Sequence, residues 1–208
     1  MKAGEALKCA ATSADANAMP TRSTILGVGI AAAVLLVGCG SPPPPATTTT
    51  TVPAGPDRPL TFPVDGTVSY SDTFGAPRSN GRTHQGVDLM GAKMTPLVAA
   101  ADGTVTFLRH DSSGLSGNML SITDEDGWKY VYIHLNNDTP GTDDGANLFD
   151  QAFAVGLGRG SEVDAGELVG FMGDSGNAED AGSHLHFELH RPDGTVINPY
   201  PSLRLERP

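Results

Sequence analysis

An all-β domain of antiparallel strands is the fold class this sequence predicts, and three observations carry that prediction. From about Arg58 onward, apolar or alternating runs of three to eight residues recur, the length and pattern of strands rather than helices. Asp-Gly pairs at Asp65–Gly66, Asp102–Gly103, Asp126–Gly127, Asp144–Gly145 and Asp193–Gly194 punctuate those runs, and such pairs suit tight turns with positive φ. One segment alone, Ala146 to Val155, repeats Leu148, Phe149, Ala152 and Phe153 at helical spacing. The expected strands are Thr67–Tyr70, Pro96–Ala101, Thr104–Leu108, Asn118–Thr123, Trp128–Leu135, Leu168–Met172, His184–His190 and Val196–Asn198.

Length and composition bound the rest. The 208 residues allow one ordinary domain with appendages. A net charge of −11, from 24 acidic against 13 basic side chains, argues against a nucleic-acid partner, because phosphate binding needs clustered Lys and Arg. Two cysteines cannot build a disulfide framework.

The chain divides into three parts: 1–39, 40–58 and 59–203. Ile25 to Gly38 is an uncharged apolar run preceded by Arg22, short for a permanent membrane span but right for the apolar region of a signal peptide. Leu36-Val37-Gly38-Cys39 resembles the lipobox of bacterial lipoprotein signals, which implies that Cys39 is lipidated and anchors the protein to the outer face of the plasma membrane; a simple secretory signal is the plainer reading. Met19 makes a more usual signal start than Met1. Ser41 to Pro56 is Pro- and Thr-rich, cannot bury a core and reads as an extended spacer. The expected workplace is extracytoplasmic, at the cell envelope.

In the strand His184–His190, alternation points Leu185, Phe187 and Leu189 to one side. His184, His186, Glu188 and His190 share the other. In Tyr130–Leu135 the same rule puts Val131, Ile133 and Leu135 on one side, with Tyr130, Tyr132 and His134 opposite. His84 and Asp88 lie four apart, with Gly86 between them favouring an extended or loop setting. A neutral imidazole and a carboxylate are both zinc ligands, and a catalytic zinc takes three protein ligands and one water. His84, Asp88 and one of His184 or His186 satisfy that count. His110 and His190 read as structural. His186 to His190 superficially resembles an HExxH helix, but Glu188 is one position too late and the alternation reads as strand.

His84 to Asp88 (HxxxD), His134 in Tyr-Ile-His-Leu, and His184 to Glu188 (HxHFE) occur in the order found in M23 peptidases, the LytM- and lysostaphin-like zinc endopeptidases of peptidoglycan, which the chain resembles from about Leu60 to Tyr200. The segments Phe74 to Arg78, Thr95 to Thr104 and Gly166 to Gly170 add to the likeness. The resemblance implies a compact antiparallel β-sheet fold with a single Zn2+ in a groove. It makes His84, Asp88 and His186 the metal ligands, and His134 and His184 the catalytic histidines. It also implies a function: hydrolysis of peptide bonds in peptidoglycan by zinc-activated water. The alternative is a non-catalytic M23-like module that binds or activates another wall hydrolase, although such modules typically lose site residues and all five stand here. A permanently blocked metal-binding scaffold is a third reading.

One departure is the long stretch from Asn136 to Asp164, with Asp138, Asp143, Asp144 and Asp150 and a single basic residue, Arg159. It reads as a solvated acidic loop or as a wall of the groove. Arg78 and Arg82 read as exposed turn residues or as contacts for a substrate carboxylate.

Overall fold

The computed structural model describes residues 58–206. The expected signal segment, Cys39 and the expected spacer up to residue 57 lie outside the described residues. Among the described residues nine strands form: β1 (Val87–Met90), β2 (Pro96–Val98), β3 (Gly103–Arg109), β4 (Asn118–Thr123), β5 (Lys129–Leu135), β6 (Glu162–Val163), β7 (Leu168–Phe171), β8 (His184–His190) and β9 (Val196–Ile197). The α-helices among the described residues are α1 (Phe149–Ala152) and α2 (Tyr200–Glu206), and short 3-10 turns lie at Ser79–Gly81 and Gly176–Ala178. The larger sheet runs β1-β8-β5-β4-β3-β6, with β9 against the far end of β8, and β2 pairs β7 in a second sheet. Every one of these pairings is antiparallel.

Apolar alternation explains the strands at the centre of the larger sheet. Leu185, Phe187 and Leu189 of β8 are fully buried, alongside Val87 and Leu89 of β1, Tyr130 and Tyr132 of β5, and Leu120 and Ile122 of β4. Truncating any one of the Leu side chains to Ala would cost about 2–5 kcal/mol. Tyr132 keeps its buried hydroxyl satisfied by accepting from Ala100 N at 2.7 Å and donating to Val98 O at 2.9 Å, which staples the two sheets together.

Four local expectations are corrected. Thr67–Tyr70 is not a strand and contributes a single bridge, Ser69 to Met90. β1 and β6 are strands without a strong pattern of their own, and β1 forms because it pairs with β8. The helical spacing of 146–155 yields one turn, α1, while α2 closes the domain near the C-terminus. Arg58, at the end of the expected spacer, belongs to the fold: its backbone donates to Ser202 Oγ at 3.0 Å and its guanidinium meets Asp124 at 2.6 Å and Asp126 at 3.0 Å.

The stretch 136–164 is largely folded in. It contains α1 and β6, and Ala152 and Phe153 are core residues. Asp138, only 2% exposed, joins Asp143 and Asp174 around Lys93 Nζ at 2.6, 2.6 and 2.9 Å. Those carboxylates lie close enough to share a metal ion, but the lysine ammonium already sits among them. Their negative charge is thus a pin that holds the segment to the strand connections.

Candidate metal centre

Strand register assembles the centre. Asp88 on β1 pairs directly with His186 on β8, and His186 pairs in turn with Ile133 on β5. Directly opposed residues project from the same face with Cβ atoms about 5 Å apart. His84 precedes β1 in a small hairpin tied by His84 N to Ala76 O at 2.8 Å and Gly75 N to His84 O at 2.8 Å. Gly86 lets that hairpin approach β8: a Cβ there would collide with the Phe187 carbonyl and come within 2.9 Å of His186 Nε2.

His134 reaches the site by breaking the alternation expected of β5. Asn118 pairs Leu135 and Met119 pairs Ile133, so His134 is an extra residue with φ 67°. A bulge of this kind re-aims side chains. Leu135 turns into the core with Tyr130 and Tyr132, while His134 and Ile133 both face the groove. The expected face-sharing of His134 with the two tyrosines is therefore wrong. The left-handed backbone at a histidine is a strained feature placed at the site.

The donor atoms converge. His84 Nε2 lies 3.0 Å from Asp88 Oδ1 and 2.9 Å from His186 Nδ1, and His186 Nδ1 lies 2.9 Å from Asp88 Oδ1. The opposite atom of each imidazole fixes its tautomer. His84 Nδ1 faces the Thr73 carbonyl at 2.9 Å, and a carbonyl only accepts, so Nδ1 carries the proton and Nε2 the lone pair. His186 Nε2 faces Glu188 Oε1 at 3.1 Å, which leaves the lone pair on Nδ1. Three lone-pair donors thus aim at one point, an arrangement that repels itself unless a cation or a proton is shared among them.

His134 and His184 obey the same rule from the other side. His134 Nδ1 donates to Ser175 O at 2.8 Å and His184 Nδ1 to Gly182 O at 2.7 Å. In the neutral form each imidazole therefore carries its lone pair on Nε2, and the two ring centroids lie 4.9 Å apart.

The electrostatics follow from these contacts. Burial works against charge on Asp88, but the adjoining His186 and His84 imidazoles outweigh it and hold the carboxyl well below the usual range. Burial likewise opposes charge on His186, yet Asp88 and Glu188 leave its pKa raised. Burial, reinforced by neighbouring His184, pulls His134 down to about 4. Glu188, despite burial, is held at about 2 by His186 and His190.

A groove of about 370 Å3 lies over these groups, with Arg78, Arg82, Leu115, Ser116 and Asn177 in its walls. No residue of 136–164 lines it, so the groove-wall reading of that stretch is not what the structure shows. Glu188 is a site residue that the residue-by-residue reading placed on the correct face without assigning it a part. His190, read as structural, bonds Glu188 Oε2 at 2.7 Å, and His110 bonds the Asn147 carbonyl at 2.8 Å, away from the groove.

Residues 82–199 match Peptidase family M23. The chain belongs to this family. The M23 chain is 33% identical over 118 residues to the DD-carboxypeptidase/endopeptidase Mpg of Neisseria meningitidis serogroup B, covering 57% of this chain and 22% of that protein. It is 30% identical over 138 residues to the murein hydrolase activator NlpD of Escherichia coli, covering 66% of this chain and 29% of that one. Among solved structures it is similar to a putative glycyl-glycine endopeptidase lytM from Ruminococcus gnavus, with TM-score 0.52, 29% identity, and coverage of 69% of this chain and 59% of the other. The matched part thus spans less than a third of these two curated relatives' length. The antiparallel fold with few helices agrees with the M23 neighbour.

Proposed function

We propose that this M23 chain is a zinc-dependent endopeptidase of peptidoglycan peptides, working outside the cytoplasm. One observation carries the proposal: His84 Nε2, Asp88 Oδ1 and His186 Nδ1 aim their ligand atoms at one point beneath an open groove. Two imidazoles and a carboxylate are a zinc donor set, and three protein ligands leave one position of a tetrahedral site open. Bound there, zinc supplies Lewis-acid polarisation of the scissile carbonyl and acidifies the attacking water.

The chain's own residues do the rest. Thr73 O and Glu188 hold the ligand rings in the tautomers that face the site. His134 and His184, each fixed through Nδ1, turn Nε2 toward the groove, where one of them takes a proton from the attacking water and then delivers that proton to the leaving amine. Burial keeps His134 neutral at physiological pH. A lipid anchor at Cys39 would hold the domain at the membrane's outer face.

The alternative, an activator of another wall hydrolase, draws support from the likeness to NlpD. Against it stands the full set of five residues. Incubating purified sacculi with the protein and counting newly released amino groups, with and without a chelator, separates the two. Chelator-sensitive release is expected, and its absence from a zinc-loaded protein would favour the activator. His134→Ala should keep zinc and lose about 10²–10⁴-fold in turnover, whereas His84→Ala should lose the metal.

A further inference from the structure

Arg78 is a cation placed beside a cation site. Its Nη2 donates to Asp88 Oδ2 at 2.7 Å, while Asp88 Oδ1 faces His84 and His186. The guanidinium is attracted to the Asp88 carboxylate, but toward an incoming metal its charge is unfavourable, since it repels the cation and draws electron density from the ligand oxygen. Geometry gives a reason for such a neighbour. His84 is held through its far nitrogen by the Thr73 carbonyl, and His186 through its far nitrogen by Glu188. Asp88, about a quarter exposed, would be the one ligand free to spin about its carboxyl torsion were its far oxygen not held. Arg78 is itself anchored: its backbone donates to Arg82 O at 2.9 Å, and Pro77 bridges to Thr83 in the same hairpin that delivers His84.

We propose that Arg78 is a positioning residue that fixes Asp88 as a one-oxygen ligand, completing an outer shell in which every metal ligand is held by its second atom. The inference rests on the zinc reading above and commits Arg78 to the protein rather than to a substrate carboxylate. Arg82 differs: its guanidinium bonds only Ser79, through Ser79 O and Oγ at 3.3 Å each, and has no acidic partner among the described residues.

The sign of one measurement decides the matter. Zinc affinity is read by competition with a chromophoric chelator, using the metal-stripped full chain. Loss of an outer-shell partner commonly weakens metal binding by about 10–100-fold, so Arg78→Gln should weaken it at least about tenfold. Arg78→Lys, which keeps a donor and the charge, should recover most of that loss. Arg82→Gln removes the same charge from the same hairpin without touching Asp88, and should bind zinc as tightly as the wild type or tighter. The metal-free melting temperature of Arg78→Gln should match that of the wild type, which a general unfolding of the hairpin would not allow; should this variant not fold, the Lys variant alone decides, and weak zinc binding by it overturns the proposal. Equal or tighter binding by Arg78→Gln is the Coulombic result and overturns it too. If the wild-type chain itself binds no zinc, the zinc reading has failed instead.

Discussion

Replacing His134 with Asn should flatten the acid side of the protein's stability curve. His134 is 7% exposed, and burial with its histidine neighbours lowers its pKa to about 4, against about 6.5 in an unfolded chain. A depressed histidine binds its proton in the unfolded state first, so as pH falls from 6.5 toward 4 the unfolded state gains and stability drops. At pH 4.5 the difference amounts to about 2 kcal/mol relative to pH 7. Asn cannot titrate and tolerates the left-handed φ of 67° at this bulge. Urea unfolding of the metal-free protein at pH 7 and at pH 4.5, for wild type and His134→Asn, isolates the term, since losses from Asp88 and Glu188 are common to both. The wild type should lose about 2 kcal/mol more than the variant. Equal losses would show that His134 is not the buried neutral base described here.

Three further outcomes follow. Gly86→Ala should destabilise the fold by about 1–3 kcal/mol, because the added methyl strikes the Phe187 carbonyl, and it should weaken zinc binding along with urea resistance. Lys93→Met leaves Asp138 and Asp174 buried without their cation and should cost about 3–5 kcal/mol in urea unfolding; a neutral result would mean that the acidic segment is not pinned through Lys93. Zinc must displace the proton that the raised pKa of His186 favours, so calorimetry in buffers of different ionisation enthalpy should show proton release on binding near pH 6.5, and affinity should fall as pH is lowered.

Where a residue's environment is local, the sequence was enough to read it. The alternation of His184–His190 put Leu185, Phe187 and Leu189 in the core and His186 and Glu188 on the groove face, as found, because a central strand packed on one face obeys period two. Non-local features were not readable. β1 has no strong pattern, and pairing with β8 makes it a strand. The bulge at His134 arises from how β5 meets β4 and the 172–175 connection, which no alternation rule encodes. The acidic segment looked like a free insert because its charges were counted without Lys93, 45 residues from Asp138 in the chain. The resemblance grouped His84, Asp88, His134, His184 and His186, and the structure brings those five side chains to one groove. Their tautomers required the carbonyls of Thr73, Ser175 and Gly182, which composition cannot reveal.

X-ray absorption at the zinc edge, on the purified chain loaded with one equivalent of zinc, tests the central claim most directly. The account predicts a low-coordinate shell of nitrogen and oxygen only, with two imidazole signatures, lost in His84→Ala and retained in His134→Ala. A shell of carboxylate oxygens without imidazole, unchanged by His84→Ala, would place the ion elsewhere and contradict it.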